Sequence, residues 1–182
     1  MLPTLPPRRG KGFTMVEKTR CKGCGYFHVG PVPDHCPVCG APKTMFVKYD
    51  GPGDLDGSKT LENLKVAFAG ESQANRMYTL FARIAQLEGH PGAAAAFERA
   101  AAEETAHAHG HLAYMSGFGS TRENLARAAE GEDFEQRDMC PSFADIAEEE
   151  GFPEIAYYFR SVGRYEKAHR EEYTAAAEGL SE

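Results

Sequence analysis

Two Glu-x-x-His pairs, Glu104/His107 and Glu166/His169, and two cysteine knuckles, Cys21-x-x-Cys24 and Cys36-x-x-Cys39, are the residues whose types and spacing can do chemistry. Residues three apart on a helix share a face, so each Glu-x-x-His offers one carboxylate and one imidazole to the same point. A single pair means little in a chain with 27 acidic residues. Two pairs at corresponding places of an internal repeat are a metal-ligand pattern. The knuckles are close enough in the chain for their four thiolates to close one tetrahedral site. Such a site accepts zinc or iron about equally. Iron is expected here, because a one-electron centre has a use beside a redox-capable metal pair, with zinc the alternative in material from a foreign host. His28 and His35 read as loop residues, since the cysteines already complete the shell.

These ligands need rigid elements to hold them. Composition changes near residue 50, from short segments rich in Gly, Pro and Cys to Ala, Glu, Arg and Leu at helical spacing, across the turn-rich stretch Asp50 to Gly57. Thr60 is expected to cap a helix running to about Glu88, stopped by Gly89-His90-Pro91, and a second helix runs from about Gly92 to Ser116. Ser120 with Glu123 forms a capping box opening a third helix, which ends at Gly151-Phe152-Pro153, and a fourth runs to about Glu178. The four helices are a duplicated pair: Asn63-Leu64 and Gly70-Glu71 recur at Asn124-Leu125 and Gly131-Glu132, whereas Phe81, Gly89, Pro91, Phe97, Glu104 and His107 recur one position later, at Phe143, Gly151, Pro153, Phe159, Glu166 and His169. One residue is therefore inserted between Glu132 and Phe143, and a helix usually absorbs such an insertion as a π-bulge.

The apolar stripe of every helix carries a glutamate where leucine would be expected. The first reads Leu64, Phe68, Glu71, Asn75, Tyr78, Ala82, Ala85; the second Phe97, Ala101, Glu104, His107, His111; the third Leu125, Ala128, Glu132, Glu135, Met139; the fourth Phe159, Val162, Glu166, His169, Tyr173. An unpaired buried carboxylate costs several kcal/mol, so this convergence calls for concentrated positive charge. Two metal ions supply it, and this is the ligand pattern of ferritin-like di-iron and di-manganese bundles. Reading these residues as solvated surface fits Glu98, Glu103, Glu148 and Glu149 but makes the in-phase set a coincidence. His109 and His111 read as surface histidines or as neighbours of the ligands. Tyr78 either hydrogen-bonds to the metal site or fills core.

At 182 residues and net charge -7, the chain has room for one domain with a proper core plus a small satellite that needs a metal to fold. The acidic balance and the lack of clustered Lys and Arg outside the N-terminal tail argue against a nucleic-acid binder. No apolar run reaches membrane-spanning length, and residues 1–14 lack the apolar stretch of a secretory leader, so a cytoplasmic, non-membrane protein is expected. The predicted organisation is a tail at 1–15, a rubredoxin-type four-cysteine module at 16–50, a linker at 51–58 and a mainly α, four-helix bundle at 59–182.

The sequence resembles the rubrerythrin family from Cys21 to Tyr173, notably in Cys-Gly-Tyr at 24–26, Cys-Pro-Val-Cys-Gly-Ala-Pro-Lys at 36–43, Asn-Leu-Lys-Val-Ala-Phe-Ala-Gly-Glu-Ser at 63–72 and Gly-Glu-x-x-Glu at 131–135. With the rubredoxin-like module first, the order is that of reverse rubrerythrins. The resemblance implies a ferritin-like di-iron domain and a non-haem peroxidase that reduces hydrogen peroxide, with dioxygen as a second substrate, in oxidative-stress defence. Electrons would come from NAD(P)H through a reductase or rubredoxin and pass by way of the four-cysteine iron. It also implies iron ligation by Glu71, Glu104, Glu132, Glu166, His107 and His169, with Glu135 as an additional carboxylate exchanging with His107. A homodimer or higher assembly with electron transfer between chains follows by the same analogy. Where the family commonly has Met-Tyr-Pro, this chain has Met139-Cys140-Pro141, so a tyrosine hydroxyl gives way to a thiol, which reads as a small buried hydrophobe or as an oxidisable group. The competing reading is a ferritin-like iron-oxidising and storage protein whose four-cysteine module is a zinc clip.

Overall fold

A computed structural model describes residues 16–180; the expected tail at 1–15 lies outside them. The described residues fall into two compact units that divide between Gly117 and Phe118. This packing boundary differs from the compositional break near residue 50, because the cysteine module and the first helical hairpin pack as one body.

In the first unit, strands β1 (Lys18–Cys21), β2 (Phe27–Val29) and β3 (Phe46–Lys48) form an antiparallel sheet in the order β2-β1-β3, with Thr19 opposite His28 and Lys48. A 3-10 turn, Lys43–Met45, leads into β3. His28, expected in a loop, lies in β2, where its Nε2 meets Pro31 O at 2.8 Å. Phe27 and two of the cysteines supply most of the buried apolar surface of this module. Helix α1 (Lys59–Leu87) packs antiparallel to α2 (Pro91–Tyr114). The residues sealed between and along them are small: Ala82, Ala85, Ala94, Ala101 and Ala108. The polar exception is Asn75. Its Nδ2 donates to Ala101 O at 2.6 Å and Thr105 Oγ1 at 2.8 Å, and its Oδ1 accepts from Arg76 Nε at 2.9 Å, tying α1 to α2 one turn from Glu71.

The module is fastened to the end of α2. Tyr49 Oη donates to Ala113 O at 3.3 Å, its ring meets Tyr114 edge-on at 5.5 Å, and Phe27 packs on its other side at 5.2 Å.

In the second unit, α3 (Thr121–Phe134), a π segment (Glu135–Met139) and α4 (Cys140–Glu149) follow one another without leaving helical backbone, and α5 (Pro153–Glu178) packs against them. The chain thus has the expected four helices, the third carrying the π segment. The Cys140 N–H reaches Glu135 O, five residues back, so the inserted residue predicted from the repeat is absorbed where the sequence offset changes. Ala144, Ala147 and Ala156 pack under Phe159, and Gly163 lets α5 approach Cys140 closely.

Both copies of the hairpin turn in the same way. Gly89 and Gly151 take φ of 80° and 84°, the next residues, His90 and Phe152, donate to Ala85 O and Ala147 O, and Pro91 and Pro153 occupy the first helical position. The prolines therefore begin α2 and α5 instead of merely stopping α1 and α4. The Ser120/Glu123 capping box forms as expected. The α1 cap is Ser58, not Thr60. Gly57 turns the chain at φ 70°, leaving Ser58 extended with its Oγ accepting from Leu61 N at 3.1 Å.

Candidate metal centres

The four cysteines converge. Their Sγ atoms all lie within 4.8 Å of one another, with Cys21 to Cys39 at 3.8 Å and Cys24 to Cys36 at 3.6 Å. A tetrahedral metal with metal–sulfur bonds of about 2.3 Å requires sulfur separations of about 3.8 Å, so the geometry fits. Both knuckles turn on bonds from Gly25 N to Cys21 O and from Gly40 N to Cys36 O, with Gly25 and Gly40 at φ 81° and 71°. Burial pushes the Cys21 thiol up, but N–H groups of Cys24 and Gly23 more than offset this and hold it at about 7. Burial and the neighbouring thiols push Cys24 up to about 12. Four such sulfurs cannot all ionise without a cation among them.

Each hairpin gathers its own trio. On α1 and α2, Glu71, Glu104 and His107 bring ligand atoms within 4.8 Å of one another, His107 Nδ1 lying 3.1 Å from Glu104 Oε2 and 3.7 Å from Glu71 Oε2. On α3 and α5, Glu132, Glu166 and His169 do the same, with His169 Nδ1 at 2.8 Å from Glu166 Oε2 and 3.8 Å from Glu132 Oε2. The glutamates are half-buried and the histidines more open, at 52% and 48% side-chain exposure. The expected burial of these side chains is thus incomplete. Contact with Glu104 holds the Glu71 carboxyl above the usual carboxylate range, while the same contact, with His107 beside it, holds Glu104 below. Burial, then the Glu166 carboxylate, pushes Glu132 and Glu135 up. Crowded oxygens and one imidazole per trio suit a divalent cation such as iron.

Residues 62–177 match the family described as rubrerythrin, and residues 20–47 match its rubredoxin-like domain. The chain belongs to the rubrerythrin family.

A rubrerythrin of Porphyromonas gingivalis is 42% identical over 134 residues, 66% of this chain and 67% of that one. Rubrerythrin-1 of Clostridium acetobutylicum is 37% identical over 145 residues, 70% and 74% of the two chains. Reverse rubrerythrin-1 of the same organism is 41% identical over 106 residues, covering 51% and 59%. As expected, the rubredoxin-like domain precedes the ferritin-like domain here. Rubrerythrins are in general di-iron oxidoreductases that reduce peroxide and carry a rubredoxin-like iron site. No helix among the described residues is long and apolar enough to cross a membrane.

The remaining candidate residues are placed differently. Glu135 opens the π segment and feels the Glu166 charge, yet stands outside the trio of its unit. Tyr78 packs its ring against Phe81 and Phe97 at 6.4 and 6.1 Å, in an aromatic cluster. Cys140 is 1% exposed, and burial, then Glu166 and Glu135, push its thiol up. Sequence reasoning overlooked Asp133, which accepts from Arg137 Nε and Arg170 Nη1, both at 2.9 Å. It thereby braces α3 to α5 beside Glu132 and His169. The signal was present in the Asp-x-x-x-Arg spacing of 133 and 137 and in an arginine following the ligand histidine.

Proposed function

We propose that this rubrerythrin is a non-haem di-iron peroxidase that reduces hydrogen peroxide to water, H2O2 + 2 e− + 2 H+ → 2 H2O, with dioxygen as a second substrate. The reading rests on one observation: two Glu-Glu-His trios of the same design and a four-cysteine site occur in one chain. Together the two trios carry four glutamates and two histidines, the composition of a di-iron ligand set. Iron held by these residues would supply the electrons that cleave the oxygen–oxygen bond. The carboxylates balance the ionic charge and can change binding mode as it changes. Glu135, one turn from Glu132 and already biased toward its protonated form, is the spare carboxylate. The four thiolates of Cys21, Cys24, Cys36 and Cys39 would hold a further iron, suited to one-electron change with little rearrangement and so to relaying single electrons from a rubredoxin or an NAD(P)H-dependent reductase. The protein works in the cytoplasm as a homodimer or higher assembly, in defence against oxidative stress.

The test is anaerobic expression with ample iron, metal analysis, reduction, and addition of stoichiometric hydrogen peroxide while the iron–sulfur absorption is followed. About three irons per chain and rapid reoxidation of the four-cysteine iron are expected. A four-cysteine site that holds only zinc, or stays reduced while peroxide disappears, overturns the relay and leaves iron oxidation and storage as the better account.

A further inference from the structure

The π segment is fastened to α5 at both ends. At its start, Asp133 Oδ1 accepts from Arg137 Nε, inside the segment, and from Arg170 Nη1 on α5, both at 2.9 Å. At its end, Cys140 and the Gln136 carbonyl face Gly163, where a Cβ would meet Cys140 Cβ at 3.1 Å. Pairing 133 with 170 and 140 with 163 makes the two strands of helix antiparallel. Glu135 on one and Glu166 on the other therefore lie between the two fastenings, and Glu132 and His169 each adjoin a member of the ionic brace. The first hairpin has no such brace. The repeat counterparts of Asp133 and Arg170 are Ser72 and Ala108. The Ser72 hydroxyl donates to Phe68 O of its own helix at 2.7 Å, and Ala108 is buried in the packing. The brace thus accompanies the copy that carries the π segment. Partly exposed ion pairs add little to stability. Two guanidinium groups aimed at one carboxylate oxygen do fix direction as well as distance.

We infer that Asp133, tied to Arg137 and Arg170, is a positioning residue that holds the start of the π segment so that Glu135 is presented beside Glu166 as the additional iron ligand. The inference rests on the reading of Glu135 as the spare carboxylate. Without the brace the segment keeps its fastening at Cys140 and Gly163, while Glu135 lies at the released end.

An additional carboxylate favours the ferric state, which is the more positive, so its withdrawal raises the midpoint potential of the iron it binds. That potential is measured on the full, iron-loaded chain through the paramagnetic signal of the half-reduced carboxylate site. Glu135→Ala should raise it. Asp133→Asn and Arg170→Gln should both raise it as well, although they remove charges of opposite sign. A charge acting through space would move it up in the first and down in the second. On a Glu135→Ala background neither substitution should move it further. Arg160→Ala cuts the ties of α5 to Asp145 and Glu148 and serves as the control for a loosened helix pair, with no shift expected. Far-ultraviolet circular dichroism checks that each variant is folded, and Arg137→Gln, at the most exposed arm of the brace, replaces any that is not. Opposite shifts, no shift, shifts that persist without Glu135, or an equal shift with Arg160→Ala overturn the inference and leave the ligand reading standing. A potential indifferent to Glu135→Ala itself removes Glu135 as a ligand, and the inference falls with that reading.

Discussion

Replacing Asn75 by aspartate exchanges one NH2 group for an oxygen and changes little else in shape. The lost group donates to Ala101 O at 2.6 Å and to Thr105 Oγ1 at 2.8 Å. Each net bond is worth about 0.5–1.5 kcal/mol, so their loss costs about 1–3 kcal/mol. The new oxygen also faces the Ala101 carbonyl at hydrogen-bond distance with no proton between, at a side chain only 7% exposed. That mismatch adds about 1–3 kcal/mol, for a total of about 2–6 kcal/mol at pH 7. Protonation of the introduced carboxyl restores an O–H donor, so the penalty should shrink as pH falls toward 5. Asn75→Leu removes both bonds but introduces no opposing oxygen. Thr105 Oγ1 still donates to Ala101 O at 3.0 Å, which keeps its cost near the lower figure. Urea unfolding of the metal-free chain, followed by far-ultraviolet circular dichroism at pH 7 and pH 5, measures all three proteins. If leucine proves as damaging as aspartate at pH 7, or the aspartate penalty does not change with pH, the amide is not acting as a donor between α1 and α2.

The Glu132 carboxyl titrates above its ordinary value of 4.5 because of burial and the Glu166 carboxylate. The native state then holds this proton more tightly than the unfolded chain, and ionisation destabilises the metal-free protein as pH rises from about 4.5 through the raised value. Metal-free Glu132→Gln should therefore have a higher thermal midpoint than the native chain at pH 7, with the advantage fading near pH 4.5, and manganese should reverse the order. A pH-independent difference would contradict this. At Gly163, a Cβ would lie 3.1 Å from Cys140 Cβ, so Gly163→Val should cost about 1–3 kcal/mol in thermal denaturation. Cys140→Gly should recover part of that loss and Cys140→Ala none, since the crowded atom is Cβ. Cys36→Ser should remove one metal per chain by elemental analysis while the helical dichroism signal persists, because α1 and α2 pack on their own alanines.

The features legible in the sequence were those with a period or a punctuation mark. A shift in the repeat offset located the π segment, and paired Gly and Pro residues located the hairpin turns. Glutamates on apolar stripes located both trios, since a misplaced charge in a periodic pattern is visible without coordinates. What escaped depends on contacts between distant residues. Nothing in the local pattern distinguishes Ser58 from Thr60 as the α1 cap, because the choice turns on the backbone angle at Gly57. Tyr49 meets Ala113 and Tyr114 across more than sixty positions, and no periodicity announces that contact.

The π segment also bears on how this chain could change over time. An inserted residue in a continuous helix turns everything after it by about 100°, unless the extra residue is held in a local bulge. Here Glu132 and Phe143 both stay in step with their counterparts in the other hairpin, so the bulge takes up the whole mismatch. Removing one residue from within the segment would close the bulge and leave Ala144 and Ala147 in their seal against α5, whereas removing one elsewhere in α3 or α4 would swing them out of it. The segment is thus the one stretch of this long helix whose length can change without disturbing the packing downstream, and it makes one of the two repeated cradles different from the other.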